Sequence, residues 1–162
     1  MVMKNDADRG FLQTILKALG ENMEESNNNE LFIDARIDNI PTVTAFVDEK
    51  LEALDFPLKA QMQIDVAIDE LFSNIAKYGY RENGGPAIIR FEEIEEPHSV
   101  VVTFIDEAPR YNPLEKEDPD VGLSAEEREI GGLGIFLVKK TMDEMVYDYI
   151  DGKNVLKIRK EF

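Results

Sequence analysis

The stretch GGLGIFLVKKTMDEMVY, residues 131–147, passes from a glycine turn into a helix and then towards a strand. Gly131, Gly132 and Gly134 allow close backbone approach, and the first N–H groups of a helix have no partners inside it. That combination suits a phosphate group or another anion. Ile135, Phe136, Val138, Lys139 and Met142 then give the apolar spacing of a helix of about three turns. Downstream, residues 145–150 and 154–159 read as a hairpin of strands around Asp151-Gly152-Lys153.

Upstream, residues 107–130 carry Pro109, Pro113, Pro119 and Gly122 with no sustained apolar period, and a loop of that length inside a domain is usually functional or disordered. Two strands precede it, at 87–94 and 99–105, joined by Glu95-Glu96-Pro97-His98. Before them the spacing predicts a helix over 58–78 with Ile64, Ala67, Ile68, Leu71 and Ile75 inward, closed by the turn Glu82-Asn83-Gly84-Gly85-Pro86. A helix over 41–53, capped by Asp38 or Asn39, and an alternating strand over 31–37 complete the series. Strands that arrive in adjacent pairs favour an antiparallel or mixed sheet with helices on one face, an α+β two-layer sandwich. Residues 1–29 stand apart as a short amphipathic helix (Phe11, Leu12, Ile15, Leu16, Leu19) and a polar linker, leaving 30–162 as the domain.

A chain of 162 residues that is 43% hydrophobic has the length for one sizeable core. With 18 Lys and Arg against 34 Asp and Glu, the net charge of −16 repels nucleic-acid backbones, and no direct nucleic-acid partner is expected. Cysteine is absent, which excludes thiol catalysis and cysteine-bound zinc, and the single histidine, His98, excludes a histidine-rich metal site. Polar and charged residues interrupt the first twenty positions, and no apolar run approaches the ~20 residues of a membrane span. A cytoplasmic protein without a membrane partner is the expectation.

Three elements carry chemistry. Glu70 and Asn74 lie four apart in IDELFSNIAKYGY and share one helical face, with Lys77 three further along the same stripe. Asp106 ends the apolar run VVTFID, where a strand gives way to a loop. The turn Gly131-Gly132-Leu133-Gly134 opens the last helix.

In this order, with the long loop between the second and third, these elements resemble the ATP-binding boxes of the gyrase, MutL and histidine-kinase ATPase superfamily and its two-layer Bergerat fold. The run DEAPRYNPL at 106–114 and the stretch 131–147 are similar to the anti-sigma-factor serine/threonine kinases within it. The resemblance implies ATP and Mg²⁺ as cofactors, with Asn74 holding the metal through its amide oxygen. It implies Glu70 as the general base towards a serine or threonine hydroxyl, Lys77 as a phosphate contact and Asp106 as acceptor of the adenine amine. Gly131, Gly132, Leu133 and Gly134 would wrap the phosphates. Its partners would be a small antagonist protein and a sigma factor, and relatives of this type suggest a homodimer. The alternative implied function is a non-catalytic, ATP-binding module that switches protein partners.

The chain departs from that pattern in three places. Ala108 stands where relatives have glycine, and at positive φ alanine would cost roughly 1–2 kcal/mol. Arg110 replaces a second glycine and could reach phosphate or a partner carboxylate. The threonine often found before the last strand is missing, since Gly152 is followed by Lys153-Asn154, so a second contact on the adenine side is not expected.

Overall fold

The computed structural model describes residues 28–120, 122, 124 and 132–162. The amphipathic segment at 11–19 and Gly131 lie outside them. The strands are β1 (Glu30–Asp34), β2 (Pro86–Ile94), β3 (Ser99–Asp106), β4 (Glu144–Ile150) and β5 (Lys153–Glu161); the helices are α1 (Ile40–Ala53), α2 (Leu58–Asn74) and α3 (Leu133–Thr141). The strands form one sheet in the order β1-β2-β3-β5-β4, and every pairing is antiparallel. Strands adjacent in sequence pair as β2–β3 and β4–β5, which is the α+β sandwich expected from their arrival in pairs.

Alternation in the strands and the three-and-four spacing in the helices meet in one core. Val100, Val102 and Phe104 of β3 face Val43, Val47 and Leu51 of α1, Ile64, Ile68 and Phe72 of α2, and Ile135 and Val138 of α3. Phe72 and Phe104 are wholly buried, and truncating either to alanine should cost about 3–5 kcal/mol. Ile88 and Ile105 form a smaller cluster with Phe32 and Val155. In the register Phe32 pairs with Ile88, Ile88 with Ile105 and Ile105 with Val155.

Two elements differ from the sequence reading. β1 stops at Asp34 and not at Ile37: the Ala35 N–H donates to the Gly85 carbonyl at 2.7 Å, and a 3₁₀ turn, Ile37–Asn39, leads into α1. Asn39 occupies the cap position, but its amide donates to the Asp34 carbonyl at 2.8 Å and so anchors the turn to the strand. The second helix keeps α geometry only to Asn74. Ile75–Gly79 is a π turn, in which the Tyr80 N–H reaches back five residues to the Ile75 carbonyl at 2.9 Å. Such wide turns occur mostly as single bulges and frequently at functional sites.

Candidate functional site

The π turn decides what the end of α2 presents. With the wider turn, Gly79 joins Asn74, Ile75 and Leu71 in lining a cleft that opens to solvent. Lys77 is carried out to an exposed position and does not line the cleft, so the stripe expected to run from Glu70 through Asn74 to Lys77 is broken after Asn74. The opposite wall comes from β3 and the loop after it, through Asp106, Ala108, Pro109, Tyr111 and Pro113. Tyr147 of β4 with Asn154 and Leu156 of β5 close the end. The cleft is mostly apolar with a few polar groups converging on it, the composition of a small-molecule site.

Asp106 is the polar centre of the cleft. It is buried, and its Oδ1 accepts from the Ala108 N–H and from Asn154 Nδ2, both at 2.9 Å. Among the described residues no donor reaches Oδ2, so one lone-pair edge is left for an exocyclic amine. Burial pushes the carboxyl up to about 6, the Asn154 and Ala108 donors pull it back down, and the nearby Glu107 carboxylate adds a smaller upward push. At neutral pH the group is therefore mostly ionised and acts as an acceptor.

Ala108 does not have positive φ, so the strain anticipated for alanine at this position does not arise. Its methyl instead packs where a side chain on Gly79 would stand: a Cβ there would lie 2.9 Å from the Ala108 Cβ. Arg110 lies over the Tyr149 ring, 5.5 Å from its centroid, and also bears on the Tyr147 hydroxyl at the end of the cleft. It does not line the site in which it was expected to meet phosphate.

Glu70 and Asn74 do come together. Asn74 Nδ2 donates to Glu70 Oε1 at 3.2 Å, which holds the carboxylate and leaves the Asn74 amide oxygen unengaged among the described residues. The two facing elements meet here: a Cβ on Gly134 would overlap the Glu70 carboxyl, so glycine lets α3 begin against that group without displacing it. Gly132 caps α3 at φ 91°, the left-handed region that favours glycine, and Leu133, Gly134 and Ile135 follow with N–H groups that α3 cannot pair. Lys116 crosses over this turn, its Cε 3.1 Å from where a Gly132 Cβ would be. Lys139 of α3 ties the same loop down through the Lys116 carbonyl at 3.2 Å and Asp118 at 3.0 Å.

Among the described residues, no group of three or more carboxylate or histidine side chains is placed to hold a metal. That fits Mg²⁺ nonetheless, because this ion is commonly held by one or two protein oxygens together with substrate phosphates and water. Asn74, with its free amide oxygen beside the glycine turn, supplies such an oxygen.

Sequence reasoning missed Asn154, Tyr147, Gly79 and Lys116. Asn154 had a signal: it shares its strand face with the core residues Leu156 and Ile158, and an amide at an inward position needs partners. His98 pairs with Glu93 at 3.0 Å and stacks on Phe162, outside the cleft. No helix among the described residues is long and apolar enough to cross a membrane.

Comparison with curated proteins gives no match. Among solved structures, the RsbU and RsbW domains of Rv1364c from Mycobacterium tuberculosis are similar in fold, with a TM-score of 0.56 at 18% identity; the match covers 82% of this chain and 32% of that one. The chain thus spans about a third of that protein's length. The family model described as histidine kinase-like ATPase domain matches residues 33–160, a span that holds every wall of the cleft, and this chain belongs to that family.

Proposed function

We propose that the protein is an ATP-dependent serine/threonine kinase of the anti-sigma-factor type, which phosphorylates a small antagonist protein and exchanges it for a sigma factor. One observation carries this reading: Asn74, which lines the cleft together with the buried Asp106, is hydrogen-bonded to Glu70, and Glu70, just outside that lining, abuts Gly134 of the α3 glycine turn. The base, the metal oxygen and the phosphate-binding turn are thus adjacent. Family membership supports ATP use, and the runs 106–114 and 131–147 support the subgroup.

Bound Mg·ATP would supply the transferable γ-phosphoryl group and charge neutralisation on the phosphates. Asp106 accepts the exocyclic amine of adenine through Oδ2, and the apolar walls, Ile75 and Leu156 among them, exclude water from the base. Asn74 offers its amide oxygen to Mg²⁺ while its amide nitrogen steadies Glu70. The free N–H groups at the start of α3 and the Lys116 ammonium face the phosphates. Glu70 takes the proton of the incoming serine or threonine hydroxyl at Oε2, the oxygen not engaged by Asn74.

The two departures that motivated a non-catalytic switch are absorbed in this chain. Ala108 is unstrained against Gly79, and Asn154 reaches Asp106 from the strand that lacks the usual threonine. The protein should be incubated with Mg·ATP and the antagonist encoded in its own genome, with Glu70→Ala in parallel. Phosphoserine or phosphothreonine that disappears in Glu70→Ala while ATP affinity persists is the expected result. Confirmed ATP binding with no phosphotransfer, and partner control that survives Glu70→Ala, would mark a binding switch instead.

A further inference from the structure

This inference rests on the nucleotide reading above and concerns how the base is chosen. Every polar atom of the Asn154 side chain is engaged by protein. Its Nδ2 donates to Asp106 Oδ1 at 2.9 Å and to the carbonyls of Ala108 and Pro109 at 3.1 and 3.3 Å. Its Oδ1 accepts from the Tyr111 N–H at 3.0 Å and from the Tyr147 hydroxyl at 2.6 Å. An amide has two N–H donors and an oxygen with two lone pairs, so nothing remains for a ligand. Asn154 therefore does not read the base itself.

What it touches is the apparatus that does. Asn154 is the register partner of Asp106 across β3 and β5, and its amide bridges that carboxylate, the 108–111 backbone and β4. We propose that Asn154, locked by Tyr147, is a positioning residue that keeps Asp106 an acceptor-only group and thereby sets selectivity for 6-amino over 6-oxo purine nucleotides.

With Oδ1 occupied by two donors, Oδ2 is the edge left for the ligand, and both donors favour the carboxylate over the acid. An ionised carboxylate accepts from the 6-amino group of adenine and repels the 6-oxo group of hypoxanthine or guanine. Without Asn154, the buried carboxyl loses its strongest opponent of protonation, and the neighbouring Glu107 charge favours protonation further. With Oδ1 held by its donors the proton would sit on Oδ2, which then donates to a 6-oxo group and no longer accepts well from a 6-amino group, so the preference for adenine is lost. A single threonine hydroxyl could donate to Asp106 but could not also span the Tyr111 N–H and Tyr147 hydroxyl.

Calorimetric titrations with Mg·ATP and Mg·ITP, which differ at the 6-position, test this in the full chain. Wild type should prefer ATP, and in Asn154→Ala the ATP-to-ITP preference should fall at least about tenfold, because a hydrogen bond to a charged group is worth about 1.5–3 kcal/mol. Asn154→Thr should restore part of that preference. Equal weakening of both nucleotides in Asn154→Ala, with the ratio unchanged, would show a merely structural role and overturn the proposal. If circular dichroism shows that Asn154→Ala does not fold, Tyr147→Phe decides: it keeps the ring and removes the hydroxyl that makes the 2.6 Å bond to Asn154, a lowered ratio supports the lock, and an unchanged ratio overturns it. Failure of the wild type to bind Mg·ATP would overturn the nucleotide reading, and the selectivity proposal with it, in the wild-type arm alone.

Discussion

Gly79 makes room for Ala108: a Cβ at Gly79, in the π turn after α2, would lie 2.9 Å from the Ala108 Cβ on the loop after β3. The relationship joins two walls of the cleft, and it explains how alanine is tolerated beside the Asp106 carboxylate. Gly79→Ala should destabilise the protein by about 1–3 kcal/mol through overpacking and weaken ATP binding. Ala108→Gly added to that variant should recover most of both losses. Chemical denaturation of the two single variants and the double variant gives the coupling; additive effects would contradict it.

Gly134 makes room for a different partner. Its missing side chain is replaced by the Glu70 carboxyl, the flexible end of a long side chain, which can swing aside more easily than backbone can move. Gly134→Ala should therefore leave stability within about 1 kcal/mol of wild type while lowering phosphotransfer about 10²-fold, the scale of a displaced general base. Phosphotransfer rates and thermal melts on the same preparation check both halves. A rate unaffected by the substitution would show that Glu70 does not act from the observed position.

The α1–α2 interface contains a pair of acids away from the cleft. Burial first, and then the Asp48 carboxyl, push Asp65 up from 3.8 to about 6; one Asp65 oxygen is buried without a partner, and Asp48 is held by Gln61 Nε2 at 2.9 Å. Because the folded state holds this proton more tightly than the unfolded chain, the stabilisation is complete below about pH 3.8 and is lost as pH rises through about 6. Asp65→Asn should flatten that dependence. At neutral pH it should add about 1 kcal/mol, discounted for solvent screening, or about 2–4 °C in melting temperature. Melts across the pH range would show it; a less stable variant at neutral pH would contradict the assignment.

Asp106 gives the binding reaction its own pH dependence. Its carboxyl lies at about 6 in the free protein, and the adenine amine requires the ionised form. ATP affinity should be level above neutral pH and should fall towards tenfold per pH unit well below 6. Calorimetry over that window measures it, and affinity that is constant down to pH 5 would remove Asp106 from base recognition.

Much of the frame was legible because it rests on periodicity. The apolar runs at 87–94 and 99–105 and the spacing of Ile64, Ile68 and Leu71 report burial directly; both strands form as read, and the helix does as far as Asn74. The first strand reads as extended to Ile37 because Ile37 is apolar, yet it is an exposed residue in a turn fixed by Ala35, Asn39 and Gly85. The π turn has no such pattern: it is closed by a backbone bond from Tyr80 to Ile75, and it leaves Lys77 outside the cleft and Gly79 lining it. Glu70, Asn74, Asp106 and the α3 glycines were legible as spaced chemistry. Asn154 was not, because its importance comes from a cross-strand register set by residues 48 positions away.

The most direct test of the central claim is a calorimetric titration of Mg·ATP into the wild-type protein and into Asp106→Ala. Saturable one-site binding to the wild type, weakened at least about tenfold in the variant as expected for a lost charged hydrogen bond, is the predicted result. Absence of binding to the wild type, or equal binding to both proteins, would contradict the assignment of this cleft to ATP.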